Sequence, residues 1–523
     1  MPNAPHALVA RRRRYLAFQK GPGYCRLSAP RTAPSRAALT RSKTRRKGES
    51  MGNVIQTARP RGPFGELKPL TAALALGLGL SFAPTTYAAT FTVTNLNDSG
   101  AGSLRAAITS ANGAAGADTV NFQAGLTGTI TLTTGEIAIT DDVTITGPGA
   151  ASMTITKSGA AGRLLDINVG TPTVTISGLT FQGGDPAGSG GAIAIRGGTL
   201  TVQSSVFTNN QTTGTFAGGG ALYSYHGTVN IQNSVFSGNT GAGGGALYSN
   251  YGGGPVSIQN STFSGNTARR AGGALYATAG NVTIQGSTFS GNSAGRAGGA
   301  LYVRDNLVVQ NSTFSGNSAT GDGGAIFLYG GSTATISNST LTGNSTATGE
   351  GGAIILYNDT LNLASTIIAN NTDKNGANEI FDLGNSTVNA TNSLIQVTSG
   401  FTFGTNTANI TGQNPLLGPL ANNGGPTQTH ALLSGSPAID TGSNPLALSF
   451  DQRGAGFPRT VGAQTDIGAF EVQAGGPPPP PPPPPALIPV PTLSQWGTAA
   501  LSALLGAWAV ITGFGRRRRP KNS

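Results

Sequence analysis

Cysteine is nearly missing from this sequence. Cys25 is the only one in 523 residues, and it lies in a basic leader, so the body holds neither a disulfide framework nor a cysteine-ligated zinc. Histidine occurs three times, as His6, His226 and His430. That is too few for a histidine-rich metal cluster, and neither a Gly-x-Ser-x-Gly elbow nor a phosphate-binding loop occurs. No cofactor and no metal site are expected. Charged residues make up 10% and aromatics 6%, where charge alone usually approaches about 25%. This excludes a charged coiled coil and argues against a nucleic-acid partner. The formal charge of +12 belongs to the ends. Residues 1–50 carry 13 of the 32 Lys and Arg, whereas residues 90–515 carry 11 against 18 of the 20 acidic residues. The body is therefore mildly acidic, and the basic character sits where sorting signals lie.

Glycine, by contrast, is abundant at 80 residues, roughly twice its usual share. It recurs with a period. Gly-Gly-Ala returns with alanine at 192, 221, 246, 274, 300, 325 and 353, in steps of 25 to 29 residues. Between these copies runs a second motif, seen as Asn260-Ser-Thr-Phe-Ser-Gly-Asn266 and Asn311-Ser-Thr-Phe-Ser-Gly-Asn317, with weaker versions at Asn338–Asn344 and Ala364–Asn370. Apolar residues two apart, such as Val229 and Ile231 or Val256 and Ile258, have the strand period with one face buried. Short strands in such units, without a helical run, predict an all-β protein built on a single parallel β-helix. Equivalent residues should then stack one strand spacing apart, about 4.8 Å. The expected stacks are an asparagine ladder (Asn239, Asn266, Asn292, Asn317, Asn344, Asn370) and a phenylalanine column (Phe207, Phe236, Phe263, Phe289, Phe314). Tyr223, Tyr248, Tyr276, Tyr302 and Phe327 should form an exposed or half-exposed aromatic row on the opposite face. The ladder asparagines are expected to take the left-handed backbone of the turns.

The ends read as addresses. Arg59, Arg61 and Lys68 precede the apolar stretch Leu70–Phe82, and Thr86-Tyr87-Ala88 places small residues at −3 and −1 of a cleavage after Ala88. These are the three parts of a secretory signal peptide, which predicts export machinery and signal peptidase as partners. Met51 is the expected start, with 1–50 a disordered basic leader and 51–88 the signal. At the other end, Pro477–Pro485 form a stiff spacer. Thr498–Phe514 are 17 mostly apolar residues, the short limit for a transmembrane helix. Arg516, Arg517, Arg518 and Arg519 would stop transfer and hold that end in the cytoplasm.

Pro491-Thr492-Leu493-Ser494-Gln495-Trp496-Gly497, a short apolar helix and an arginine cluster together resemble the bacterial IPTL-CTERM sorting domain, with Val490 in place of the usual isoleucine. The resemblance implies processing by an exosortase-type transpeptidase, with 498–514 a transient inner-membrane anchor. It further implies delivery to the envelope, the outer surface or the medium. The Gly-Gly-Ala and Phe-x-x-Asn pairing resembles the repeats of chlamydial polymorphic outer-membrane proteins and of right-handed, pectin-lyase-like β-helices, which implies a right-handed coil. Asp98–Asn112, whose helix Ser103 should cap, is similar to the CSLREA-type module, although its cysteine is absent. NGGPTQTHALLSGSPAIDTG and TDIGAFE in 422–471 resemble the choice-of-anchor Q module. The expected domains are an N-terminal cap at 90–125, the β-helix at 126–400, a C-terminal cap at 401–475, a proline-rich linker at 476–487 and the sorting signal at 488–523.

One charge group has the spacing of a site. Arg270, Arg296, Asp322 and Glu350 precede successive Gly-Gly-Ala motifs and should line one edge of the coil. Asp322 and Glu350, one coil apart, could bind a cation or act as an acid pair, as in β-helix lyases and hydrolases; solvated turn residues are the simpler reading. Three functions stay open. They are a structural or adhesin-like surface protein, a carbohydrate-active enzyme of the same fold, and a module that binds extracellular glycan or a host or matrix surface through the tyrosine row.

Overall fold

The computed structural model describes residues 88–473 except 160, 161, 169 and 251. The expected leader, the expected signal peptide up to Tyr87, the proline run, the motif Pro491–Gly497, the apolar run 498–514 and Arg516–Arg519 lie outside the described residues.

The chain winds as a right-handed parallel β-helix. Early coils visit three sheets and those from Thr240 onward four; one such coil runs through Val256–Gln259, Thr262–Ser264, Thr267–Ala271 and Leu275–Ala277. The first sheet has 13 strands, the second 12, the short third 7 and the fourth 10. Within the first, second and fourth sheets every pairing is parallel and joins equivalent residues of successive repeats, as in Phe236↔Phe263↔Phe289. The core is one continuous column of the inward residues of these strands. Its phenylalanine stack starts one coil earlier than the motif suggests, at Phe181, and runs to Phe314 with ring centroids 4.6–4.9 Å apart. Leu341 and Ile368 continue it.

Two polar ladders run beside this column. In the first, each asparagine carbonyl oxygen accepts both the backbone N–H and the Nδ2 of the asparagine one coil before. Each Nδ2 also donates to a carbonyl of the aromatic column: Asn266 Nδ2, for example, donates to Asn292 Oδ1 and Phe236 O, both at 2.9 Å. Buried amides so fully partnered avoid the desolvation penalty of an orphaned group. The ladder runs from Asn210 to Asn344 and then to Asn371. Asn370, the expected member, is exposed with φ of 60°. The reason is a division of labour. The left-handed residue is the one before each ladder asparagine, glycine at 238, 265, 291, 316 and 343, and Asn370 takes that place in the last copy. The ladder ends on a carboxylate: Asn371 Nδ2 donates to Glu379 Oε2 at 2.6 Å. Glu379 is buried, its Oε1 has no partner, and burial pushes its pKa up to about 7. The second ladder is serine. Ser205, Ser234, Ser261, Ser287, Ser312 and Ser339 each accept at Oγ an N–H from the preceding coil and donate to the carbonyl two residues earlier.

The second glycine of each Gly-Gly-Ala serves close stacking. A Cβ on Gly245 would lie 2.1 Å from Gly273 O, and one on Gly273 would lie 1.9 Å from Gly299 O. Glycine alone lets coils meet there.

Helix α1 (Leu104–Ala111) is capped by Ser103, whose side chain accepts the N–H of Ala106, and it buries Leu104, Ala107, Ile108 and Ala111. It packs beside the first strands, Thr90–Val93 and Asp118–Phe122. Toward the other end, Phe403–Thr407 and Ile410–Thr411 still belong to the first and second sheets, so strands extend past residue 400. Residues 412–473 then run back along the side of the shaft. Thr427 Oγ1 donates to Gly286 O, His430 Nε2 meets Ser315 Oγ at 2.9 Å, Asn338 Nδ2 donates to Ser443 O, and Ala469 N donates to Thr340 Oγ1. This strap makes a second small core of Ile367, Ala369, Leu394, Leu432, Ala438, Ile467 and Phe470. Under the strap the outer residues of the second sheet change from hydrogen-bonding Thr313 and Ser315 to apolar Ile367 and Ala369, which join this small core. Arg453 closes the strap from a fully buried pair with Asp451, its guanidinium 4.0 Å and 3.8 Å from the Phe457 and Phe470 rings.

Candidate functional site

The outward positions of the fourth sheet form one register: Ala138, Asp166, Ala194, Tyr223, Tyr248, Tyr276, Tyr302, Phe327, Ile355 and Phe381. Alternation puts them there, since Leu222, Leu247, Leu275 and Leu301 beside them face the core. The aromatic row is thus the expected one, but its exposure is graded. Tyr223, Tyr248 and Tyr276 are half-buried, whereas Tyr302 and Phe327 are buried. The rings explain the gradient. Tyr276 to Tyr302 and Tyr302 to Phe327 stack at 4.6 Å and 5.1 Å with planes 24° and 4° apart, so each ring covers the next. Tyr223 to Tyr248 and Tyr248 to Tyr276 are tilted by 57° and 65°, leaving ring edges and part of the faces open. Small residues make the bed: a Cβ on Gly218 would meet the Tyr248 ring at 2.0 Å.

Polar groups edge the open stretch. Asn250 accepts from Tyr248 OH and donates to Tyr223 OH, both at 3.0 Å. A second short file follows the fourth-sheet strands, with Tyr329 stacked on Tyr357 at 5.1 Å and the Arg304 guanidinium over Tyr329 at 5.5 Å. At the early end Asp166, nearly buried, is paired with Arg163 at 3.0 Å and Arg196 at 3.6 Å. That ionic group escaped the sequence reading because Arg163, Asp166 and Arg196 sit in irregular early coils, outside the repeated motifs.

Of the predicted charge line, Asp322 and Glu350 share a register with Ala271 and Ala297, and Arg270 and Arg296 sit one residue before it. Arg270 lies over the ring of exposed Phe216 at 5.1 Å. Arg296 is exposed at the corresponding corner. Asp322 Oδ1 accepts the backbone N–H of Glu350 at 2.9 Å. The Glu350 carboxylate is paired with Lys374 and accepts from Asn375 Nδ2 at 2.9 Å. Lys374 and Asn375 come from the hairpin of Thr372–Asp373 and Gly376–Ala377 that closes the third sheet. Asp322 and Glu350 are therefore linked through main chain, and Glu350 anchors a hairpin. Sequence spacing could not show Lys374 as the partner, because the hairpin breaks the repeat. No group of acidic, histidine and cysteine residues able to hold a metal occurs among the described residues. No described helix is long and apolar enough to cross a membrane.

Residues 213–372 match the family described as a right-handed beta helix region, and residues 488–519 match the IPTL-CTERM motif. Among solved structures, the A-module of the Azotobacter vinelandii mannuronan C-5 epimerase AlgE6 is similar at 13% identity with a TM-score of 0.29; the match covers 62% of this chain and all of that one. No curated protein matches this chain.

Proposed function

We propose that this chain, a right-handed β-solenoid ending in an IPTL-CTERM sorting signal, is an exported, adhesin-like surface protein. In this reading an exosortase-type transpeptidase processes its tail, and the tyrosine side of the shaft meets its surroundings. One observation carries the contact surface: the seven described tyrosines, 223, 225, 248, 276, 302, 329 and 357, all lie in or directly after strands of the fourth sheet. Packing does not require this, because the outward positions of the first sheet carry Thr, Asn and Ser in equivalent places. Tyrosine with an apolar body and polar tip suits a surface that is wet when free and covered when bound. The engagement of Glu350 with Lys374 favours adhesion over the lyase or hydrolase reading, since the paired acid holds a hairpin.

The test uses cells displaying the protein on polysaccharide-coated and matrix-coated surfaces. A triple Tyr223→Ser, Tyr248→Ser, Tyr276→Ser variant should reach the surface in normal amount and lose most adhesion. Unchanged adhesion would refute the tyrosine face. Polysaccharide turnover abolished by Glu350→Gln or Asp322→Asn would replace this reading with the enzymatic one.

A further inference from the structure

Asp118 opens the second strand of the first sheet and is 1% exposed. Its Oδ1 accepts the backbone N–H of Ala89 at 2.8 Å, and its Oδ2 is buried without a partner. Among the described residues the cations at this end of the shaft are engaged elsewhere: Arg105 holds Asp98, and Arg163 holds Glu136 and Asp166. A buried carboxylate facing one neutral amide is costly, and such groups are ordinarily matched by a cation. Ala89 is itself fixed, because Thr119 N donates to Ala89 O at 2.8 Å where the Thr90–Val93 strand begins to pair.

The signal-peptide pattern independently places cleavage at the Ala88–Ala89 bond. We infer that Asp118 is the receptor for the new amino terminus: cleavage turns the Ala89 nitrogen from an amide into an α-ammonium that ion-pairs with the Asp118 carboxylate. In the hydrolysis, water adds across the peptide C–N bond. Ala88 leaves with the carboxyl group, and Ala89 keeps the nitrogen as an amine, which takes up a proton at neutral pH because the α-amino pKa is about 7.7–8.0. The nitrogen already at Oδ1 gains two further N–H donors, and one of them satisfies Oδ2. The first strand is then locked by a charge that exists only after export, so the precursor and the mature chain differ in how firmly this end of the β-helix is closed. The inference rests on the signal-peptide reading for the position of the bond.

The experiment compares exported protein made with the natural leader and with Gly-Ser inserted between Ala88 and Ala89, each with Asp118 and with Asp118→Asn. Terminal sequencing fixes the start of each chain, and the readouts are the acylation rate of the α-amine and the thermal midpoint. Pairing with an acid typically raises the partner's pKa by about one unit or more, so the chain starting at Ala89 should be acylated about tenfold more slowly than the extended one. It should also melt higher, and Asp118→Asn should remove both differences. If Asp118→Asn does not fold, acetylating the Ala89 amine of the natural protein should lower the midpoint to that of the extended chain. A natural terminus elsewhere than Ala89 overturns the inference together with the cleavage site. A terminus at Ala89 with equal acylation and equal melting in the two chains overturns the pairing and leaves the export reading standing.

Discussion

Glu379, where the asparagine ladder ends, should make the C-terminal coils less stable as pH rises. Its carboxyl is fully buried and accepts from Asn371, and burial raises its pKa from 4.5 to about 7. Below pH 4.5 the carboxyl is neutral both folded and unfolded. Between 4.5 and about 7 the unfolded chain releases its proton while the folded chain keeps it, so folding loses free energy with each unit of pH. Above 7 both states are ionised and the loss is complete. At 1.36 kcal/mol per unit the total is about 3 kcal/mol. Burial likewise raises Asp359, Asp466 and Glu471, so the wild-type slope exceeds one group's share. The adjoining hairpin contributes Asp373, Lys374 and, paired with the latter, Glu350. Glu379→Gln isolates the effect. Its amide nitrogen adds a constant offset, but the stability difference between variant and wild type should swing by about 3 kcal/mol in the variant's favour from pH 4.5 to 8. Solenoids open locally, so hydrogen exchange at Asn371 and its neighbours is the better assay, supported by denaturant titration. A difference that stays flat across that range would refute a neutral Glu379 in the folded ladder.

Asn292→Ala should cost about 3–5 kcal/mol, because it strands the N–H of Asn266, takes one of two acceptors from Asn266 Nδ2 and removes the donor to the carbonyl of Phe263; chemical denaturation reads this directly. Gly273→Ala should cost at least about 1–3 kcal/mol, since its Cβ would lie 1.9 Å from Gly299 O; proteolysis should then cut near residues 273–299. In the tail, Pro491→Ala with Trp496→Ala should leave the protein uncut in the inner membrane, with wild-type surface protein yielding no peptide beyond Gly497 by mass spectrometry.

The repeat architecture was legible in the sequence because a β-helix writes its third dimension into its period. Residues 25 to 29 apart become neighbours, so Phe236, Phe263 and Phe289 could be stacked, and Tyr248 set on the opposite side from Leu247, from spacing and alternation alone. The last copy shows how alignment misleads: read as Ala364–Asn370 it puts Asn370 in the ladder, but Ile368 pairs with Leu341, so the copy runs from Ser365 to Asn371, and Asn371 carries the hydrogen bonds while Asn370 takes the left-handed turn position. Contacts between segments that do not repeat were beyond the period's reach. Lys374 on Glu350 and the strap of residues 412–473 lying against coils 286–367 both join positions outside the repeat. Only the folded chain decides them, since they depend on which outer surface a non-repeating segment finds apolar or oppositely charged when it reaches the shaft.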